Sequence, residues 1–397
     1  MTSEAGPRPL PAILGVFPPP EIRTGGHRRF LELMGGLEGR GYRVLLLCDP
    51  AVRGRAGPLP GEEVPIFRRH RNPRLAPAWW RYRREVVRRL GEVASRRVGP
   101  EAVVVAFSTT DFFAARAVAR RLSAPLLFSF RSNIVTVHRR FGMLYKEAKR
   151  FKGVQRFFQG IWKRFLEYRI TRASQRIVFQ SDYDREEVIR RNPWAAKKSV
   201  VIPNSMQASW FPEELALTNR SRSLRRLVFL GSLGERKGIQ HLLPAMRELV
   251  AERGVDVTLE VIGFGGLEQW CRRYVSEHAL EDRVSFVGRE SAPLPRLAAA
   301  DLLVVPSLYD SFPNTVLEAL FVGTPVIGSD TSGIASILEA RELLFEPQNP
   351  TAIADAVESA ARDPEAYRRL RQLCTVRRAH FDFDWVAAFA EVIEEMT

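Results

Sequence analysis

Apolar residues fall along this chain in two rhythms, short continuous runs and stripes at helical spacing, and the alternation restarts halfway. The runs at 12–17, 44–48, 102–107, 125–130, 176–180 and 200–204 are each short enough for a strand buried on both faces. Between them lie helical stretches such as 26–39, where Phe30, Leu31, Met34 and Leu37 share one face. Further helices are expected over 111–122 and 182–191. Residues 205–224 are polar and irregular, as a linker would be. The rhythm then resumes with runs at 227–230, 259–262, 284–287, 302–305 and 326–327. A helix in this half carries Ile239, Leu242, Leu243, Met246, Leu249 and Val250 on one face. Strands alternating with helices predict parallel sheets, and two such series predict two α/β domains.

One stretch, 300–328, concentrates the chemistry. It reads as a strand at 302–305, a polar loop at 307–314, a helix over 315–322 and a second strand. Gly323 suits the position just past a helix end, and Pro325 forbids continuation. The loop delivers Asp310 and the N–H groups of Asn314, Thr315 and Val316 to the open end of a strand, at a helix N-terminus. That arrangement binds phosphate. Asp310 and Glu318 are placed to flank one ligand there, each suited to a hydroxyl-rich group, and a sugar nucleotide has that layout. In the plainer alternative, Asp310 is an N-terminal loop acid and Glu318 an exposed helix residue.

The loop at 231–238, GSLGERKG, puts Lys237 at another helix start. It departs from a P-loop, because Arg236 stands where the last glycine belongs and Gly238 where the magnesium-binding hydroxyl belongs. An NTPase is excluded on that ground. Glycine-rich strand exits at Gly263 and at Gly288-Arg289 permit close approach of a base or ribose. The pair Gly25-Gly26 opens the first helix without forming the GxGxxG fingerprint.

Composition adds less, with one exception. A chain of 397 residues, 45% hydrophobic and 26% charged, is globular and long enough for two cores. Cys48, Cys271 and Cys374 are far apart and fit structural thiols in a reducing compartment. The N-terminal residues do not read as a signal peptide, and no apolar run reaches the ~20 residues of a membrane span. The expected location is cytoplasmic, peripheral at the inner face of the plasma membrane. The exception is charge, a formal +15. Arginines crowd 68–97 together with Trp79, Trp80 and Tyr82. Lys146, Lys149, Arg150, Lys152, Arg156, Lys163, Arg164 and Arg169 alternate with aromatics over 139–172. Such faces either pack on their own domain or lie on an anionic membrane, and the membrane is the expected partner.

The segments TGGHRRFLELMGGLEGRGYRV, VFQSDYDREEV, VVIPNS, FLGSLGERKGIQHLL, VIGFGG, VSFVGR, VVPSLYDSFPNTVLEALFVGTPVIGSDTSG and LLFEP follow one another in order. In this series the chain resembles the retaining glycosyltransferases of family four over nearly its whole length. The resemblance implies the GT-B fold, an α/β arrangement of two Rossmann-like domains facing across a cleft. It implies an acceptor-binding domain over 1–205, a nucleotide-sugar-binding domain over 206–380, and a helix over 381–397 crossing back to the first. The activity implied is transfer of a sugar from a UDP- or GDP-sugar to a saccharide or lipid-linked acceptor, with retention of configuration. Cell-envelope polysaccharide, lipopolysaccharide or glycolipid synthesis is the implied setting.

By the same resemblance Asp310 would contact the transferred sugar and Glu318 the ribose. Lys237 would neutralise the departing pyrophosphate with the N–H groups of Asn314, Thr315 and Val316. Gly25 and Gly26 would pass the donor phosphates, and Gly263, Gly288 and Arg289 would border the nucleoside. Ser232, Arg236, Ser311 and Phe312 complete the expected donor set. The chain departs from the family pattern at Asp310, where Glu is usual, at Ser232, where many members have Arg, and at Arg131, where many have His. The sugar contact then passes to Arg131 or to His138, and Arg131 is the expectation. The leaving phosphate is implied to assist deprotonation of the acceptor. No cofactor or metal is expected, and Asp382-Phe-Asp384 is read as a helix cap rather than a metal motif. Rival readings are a basic nucleic-acid-binding protein, a non-catalytic sugar-nucleotide-binding or regulatory protein, and a sugar-nucleotide epimerase.

Overall fold

The structure, a computed structural model, describes residues 10–17, 25–48, 59–65, 101–109, 112–141, 152–211 and 223–397. The arginine-rich stretch 68–97, the loop 18–24, and Lys146, Lys149 and Arg150 lie outside the described residues.

The first half forms a parallel sheet in the order β3-β2-β1-β4-β5-β6-β7. Its strands are β1 (Ala12–Phe17), β2 (Val44–Cys48), β3 (Glu62–Pro65), β4 (Ala102–Ala106), β5 (Leu126–Ser129), β6 (Arg176–Phe179) and β7 (Ser199–Val201). Every residue of β2, β4 and β5 is buried, which explains why they read as unbroken apolar runs. The helices α1 (Gly25–Gly39), α2 (Phe112–Leu122), α3 (Ile134–Phe141), α4 (Lys152–Ala173) and α5 (Asp182–Arg191) belong to this half. β3 and α3 were not expected from the sequence. β3 carries charge at an edge, and α3 follows a strand with only Phe130, Arg131, Ser132 and Asn133 between. An Asn133 cap, whose Oδ1 accepts from the Thr136 N–H at 3.0 Å, starts α3.

The second half repeats the topology as β10-β9-β8-β11-β12-β13. Its strands are β8 (Arg226–Leu230), β9 (Thr258–Ile262), β10 (Val284–Gly288), β11 (Leu302–Val305), β12 (Val326–Ser329) and β13 (Leu344–Phe345). The helices are α6 (Ile239–Arg247), α7 (Glu268–Glu277), α8 (Leu294–Ala299), α9 (Asn314–Phe321), α10 (Ser332–Leu338), α11 (Pro350–Arg362) and α12 (Pro364–Ala379). One buried cluster fills this half and two flank the first sheet.

The last helix, α13 (Trp385–Glu394), leaves the second half and packs on α1 of the first. Trp385 and Phe389 join the cluster of Phe30 and Phe107, and Gly36 of α1 has no room for a Cβ beneath Val386. Asp384 caps α13, accepting from the Ala387 N–H at 2.9 Å, and also pairs with Arg40. The cap reading of Asp384 is therefore what the fold uses it for.

Candidate active site

Both sheets reverse their strand order once, between β1 and β4 and between β8 and β11. In open parallel sheets the strand-exit loops diverge at such a point and leave a crevice. The loops after β8 and β11 carry Lys237 and Asp310 to that crevice in the second half. This is why residues so far apart in sequence meet.

They meet as an ion pair. Lys237 Nζ lies 2.5 Å from Asp310 Oδ2, and Arg236 Nη1 lies 3.7 Å from the same oxygen. Burial opposes ionisation of Asp310, but Lys237 and Arg236, with a hydrogen bond from the Phe312 N–H, outweigh it and hold the carboxyl below its ordinary range. The loop is stapled behind: Ser332 Oγ donates to the Asp310 carbonyl at 2.8 Å, and the Gly333 N–H reaches that carbonyl at 2.9 Å. Arg236 also donates to the Tyr309 carbonyl at 3.1 Å.

Loop packing alone requires glycine at two of these positions. Gly238, in the left-handed region at φ 75°, caps α6 where a Cβ would lie 1.8 Å from the Pro306 carbonyl oxygen. Gly263, at φ 141°, would collide with the Gly231 carbonyl oxygen. Packing of the β8 and β9 exits therefore suffices to explain Gly263. Gly288 faces open space instead. Arg289 stacks on exposed Phe264, 4.1 Å from the ring centre. Ser232 is exposed at the start of the β8 loop.

The N-terminus of α9 is narrower than the sequence implied. The Val316 N–H donates to the Pro313 carbonyl at 3.2 Å, leaving Asn314 and Thr315 as the first-turn donors. Phe312 is buried against Phe381, and Ser311 Oγ lies 2.9 Å from the Tyr309 hydroxyl. Glu318, half-buried, looks toward α1. Burial raises its carboxyl, with Arg28 and Arg29 partly offsetting that rise. Gly25 and Gly26 form the first residues of α1.

The halves touch through Tyr309, Asp184, Asn133 and Asn204, none of which the sequence singled out for the site, together with Asn314 and Arg131, which it did. The Tyr309 hydroxyl, fully buried, donates to Asp184 Oδ1 at 2.8 Å and accepts from the Asn133 N–H at 3.1 Å. Asn204 Nδ2 donates to Asn314 Oδ1 at 2.8 Å, and Arg131 Nη2 donates to Asn204 Oδ1 at 2.8 Å. Arg131 is thereby tied to the start of α9. His138 is elsewhere: its ring faces Gly160 of α4 and lines a groove of ≈ 1130 Å³ with Phe157, Ile161, Phe165 and Trp194. Tyr309 stands out in the sequence only as an aromatic beside Asp310 in a polar loop, and nothing there names its partners.

Two parallel sheets, each with its own switch point, and a cation, an acid and a helix N-terminus gathered at the second make a GT-B type α/β fold with a candidate anion site. Residues 23–209 match the model described as Glycosyltransferase Family 4, and residues 218–373 match Glycosyl transferases group 1. The chain belongs to this glycosyltransferase family. A GDP-mannose-dependent alpha-(1-6)-phosphatidylinositol dimannoside mannosyltransferase of Mycobacterium tuberculosis is 32% identical over 42% of this chain and 42% of its own. An uncharacterized glycosyltransferase of Methanocaldococcus jannaschii is 28% identical over 47% of each. The aligned part thus spans about half the length of these curated relatives. Among solved structures, Anabaena HepE in complex with UDP superposes with TM-score 0.72 at 16% identity, covering 97% of this chain and 98% of that one. WaaG, a glycosyltransferase involved in lipopolysaccharide biosynthesis, gives 0.68 at 15% identity over 96% and 99%. Among the described residues no helix is long and apolar enough to cross a membrane.

Proposed function

We propose that this protein transfers a sugar, with retention of configuration, from a UDP- or GDP-sugar to a saccharide or lipid-linked acceptor at the inner face of a membrane. The observation that carries the reading is Lys237 held at the second switch point beside the N-terminus of α9. A diphosphate placed there takes Lys237 from Asp310, receives the first-turn N–H groups, and is stabilised as its charge grows on departure. Asp310, released from the lysine, is then free to accept from a sugar hydroxyl. No protein residue is assigned as base; the leaving phosphate takes that part. Arg289 and Phe264 offer a face for the base, and Glu318 is on the side of the ribose.

The membrane belongs to this reading because α4 exposes one apolar stripe. Phe157, Phe158 and Trp162 are 66%, 63% and 51% exposed, and Ile161, Phe165 and Tyr168 continue the stripe. Arg164, Arg169 and Arg172 flank it. Aromatics at headgroup depth with cations beside them suit an anionic bilayer, and the groove beside His138 suits an acyl or prenyl chain of the acceptor.

The test is calorimetric binding of UDP-, GDP-, ADP- and TDP-sugars, followed by nucleoside diphosphate release with membrane extract as acceptor. Selective binding with release supports the reading, binding without release favours the non-catalytic alternative, and no binding ends it. Activity is expected to survive EDTA, and strict manganese dependence would contradict the metal-free mechanism. Vesicles of phosphatidylglycerol are expected to pull down the parent protein but not the variant Phe158→Ser/Trp162→Ser; equal recovery of both would remove α4 from membrane binding.

A further inference from the structure

Arg131, taken within the transferase reading above, has its side chain at the edge of the crevice. Its guanidinium lies over the Phe107 ring at 5.3 Å, at the exit of β5 beside the first switch point. Nη2 donates to Asn204 Oδ1, and the Gln180 amide, turned to satisfy its neighbours, accepts from the same Nη2 at 3.0 Å. Nε and Nη1 are sealed from solvent and have no partner. Among the described residues no carboxylate is within ion-pairing distance of Arg131; Arg29 acts on it from nearby, as does the Glu32 carboxylate that pairs with Arg29 at 3.1 Å. Burial, followed by Arg29, depresses its pKa to about 9, with Glu32 offsetting part of the fall.

A cation with two sealed, empty donors, whose neighbour Arg29 already holds Glu32 while no carboxylate pairs with Arg131 itself, is a costly arrangement without an anion of its own. A sugar hydroxyl fills a donor but leaves the charge uncompensated. A carboxylate does both, and guanidinium geometry favours it. The diphosphate has its own partners at Lys237 and α9. Arg131 stands on the opposite, first-half side of the crevice, one amide (Asn204) away from Asn314. We infer that Arg131 receives a carboxylate carried by the transferred sugar, so that the donor is a nucleotide-linked sugar acid rather than a neutral hexose.

Matched pairs test this: UDP-glucuronate against UDP-glucose, and GDP-mannuronate against GDP-mannose, titrated calorimetrically into the intact protein with free UDP and GDP as baselines. The expected result is that the acid of one pair binds about tenfold or more tighter, the scale of one charge-assisted hydrogen bond. Arg131→His is expected to erase that preference while free nucleotide still binds. Equal or weaker binding of the acid, in the pair whose nucleotide binds, overturns the inference and leaves the transferase reading standing. A neutral donor combined with a loss, in Arg131→His, of competition by a phosphorylated or carboxylated acceptor analogue would place the anion on the acceptor, and also overturns it. Failure of every nucleotide to bind overturns both.

Discussion

The two halves share one strand order, yet they complete their switch points differently. In the second half the cation has its anion: Lys237 and Asp310 close on each other, with Arg236 and the Phe312 N–H in support. In the first half Arg131 has amides and an aromatic face but, among the described residues, no acid within ion-pairing distance; Glu32 acts on it only from farther off. The second site is electrostatically complete without a ligand, so it holds its shape and exchanges one partner for another on binding. The first is complete only with a ligand. Topology therefore fixes where a site forms, while the charge left over in its loops decides what must arrive to finish it.

The sharpest break in that comparison is Lys237→Ala. Losing one donor aimed at developing charge is expected to lower turnover by about 10²–10³-fold, with the circular dichroism spectrum unchanged because Asp310 retains Arg236. Near-parental turnover would remove Lys237 from the mechanism. Asp310→Asn tests the same pair from its other side. It strands Lys237, and the empty protein is expected to lose about 2–3 kcal/mol in urea denaturation. That is below the range for a fully sealed pair, because both side chains keep 15% exposure. A bound nucleoside diphosphate is expected to restore more stability to this variant than to the parent. An unchanged urea midpoint in the empty variant would make the pair a surface contact and dissolve the contrast between the halves.

Much of this was legible in the sequence, for physical reasons. Parallel strands buried on both faces read as apolar runs, so nearly every one of them is where the runs fall. β3 escaped because its Glu62-Glu63 start gives no apolar signal. Lys237, Asp310 and the α9 start were legible because glycine, proline and helix periodicity mark strand exits locally. What the sequence hid is contact between halves. Nothing local says that Tyr309 reaches Asp184 and Asn133, or that Asn204 joins Arg131 to Asn314. Gly263 is ambiguous for a related reason, since a glycine needed for close packing of two loops looks the same in sequence as one needed for a ligand. In sequence a helix start offers all its first-turn N–H groups, Val316 among them, to a phosphate; in the structure the Pro313 carbonyl takes that one.

The contact between halves offers a pH test. Burial pushes the Asp184 carboxyl up to about 6, despite hydrogen bonds from Ser311 and Tyr309 and the charge of Arg191 pulling it down; Asp310 adds to the rise. A raised carboxyl binds its proton more tightly folded than unfolded. Its contribution is therefore complete below about pH 4, the ordinary aspartate value, and is lost as pH rises toward 6. Asp184→Asn keeps the acceptor for Tyr309 and abolishes the titration. The stability of the variant relative to the parent is expected to rise by about 2 kcal/mol between pH 4 and pH 7, read as urea midpoints at both. A difference that does not change with pH would mean that Asp184 ionises freely and is not sealed between the halves.

The smallest effect serves as the control for both sites. Asp384 caps α13 and pairs with Arg40, far from Lys237 and Arg131 in function though bound to the same fold. Asp384→Ala removes the cap, worth about 1 kcal/mol, and the Arg40 contact adds little because both groups are well solvated. The thermal midpoint is expected to fall by a few degrees, while nucleotide binding stays at the parental level. If binding falls with it, α13 transmits strain through Trp385 and Arg29, whose guanidinium lies 5.5 Å from the Trp385 ring, into the crevice. Losses of activity in other variants would then need correcting for stability before the two switch points are compared.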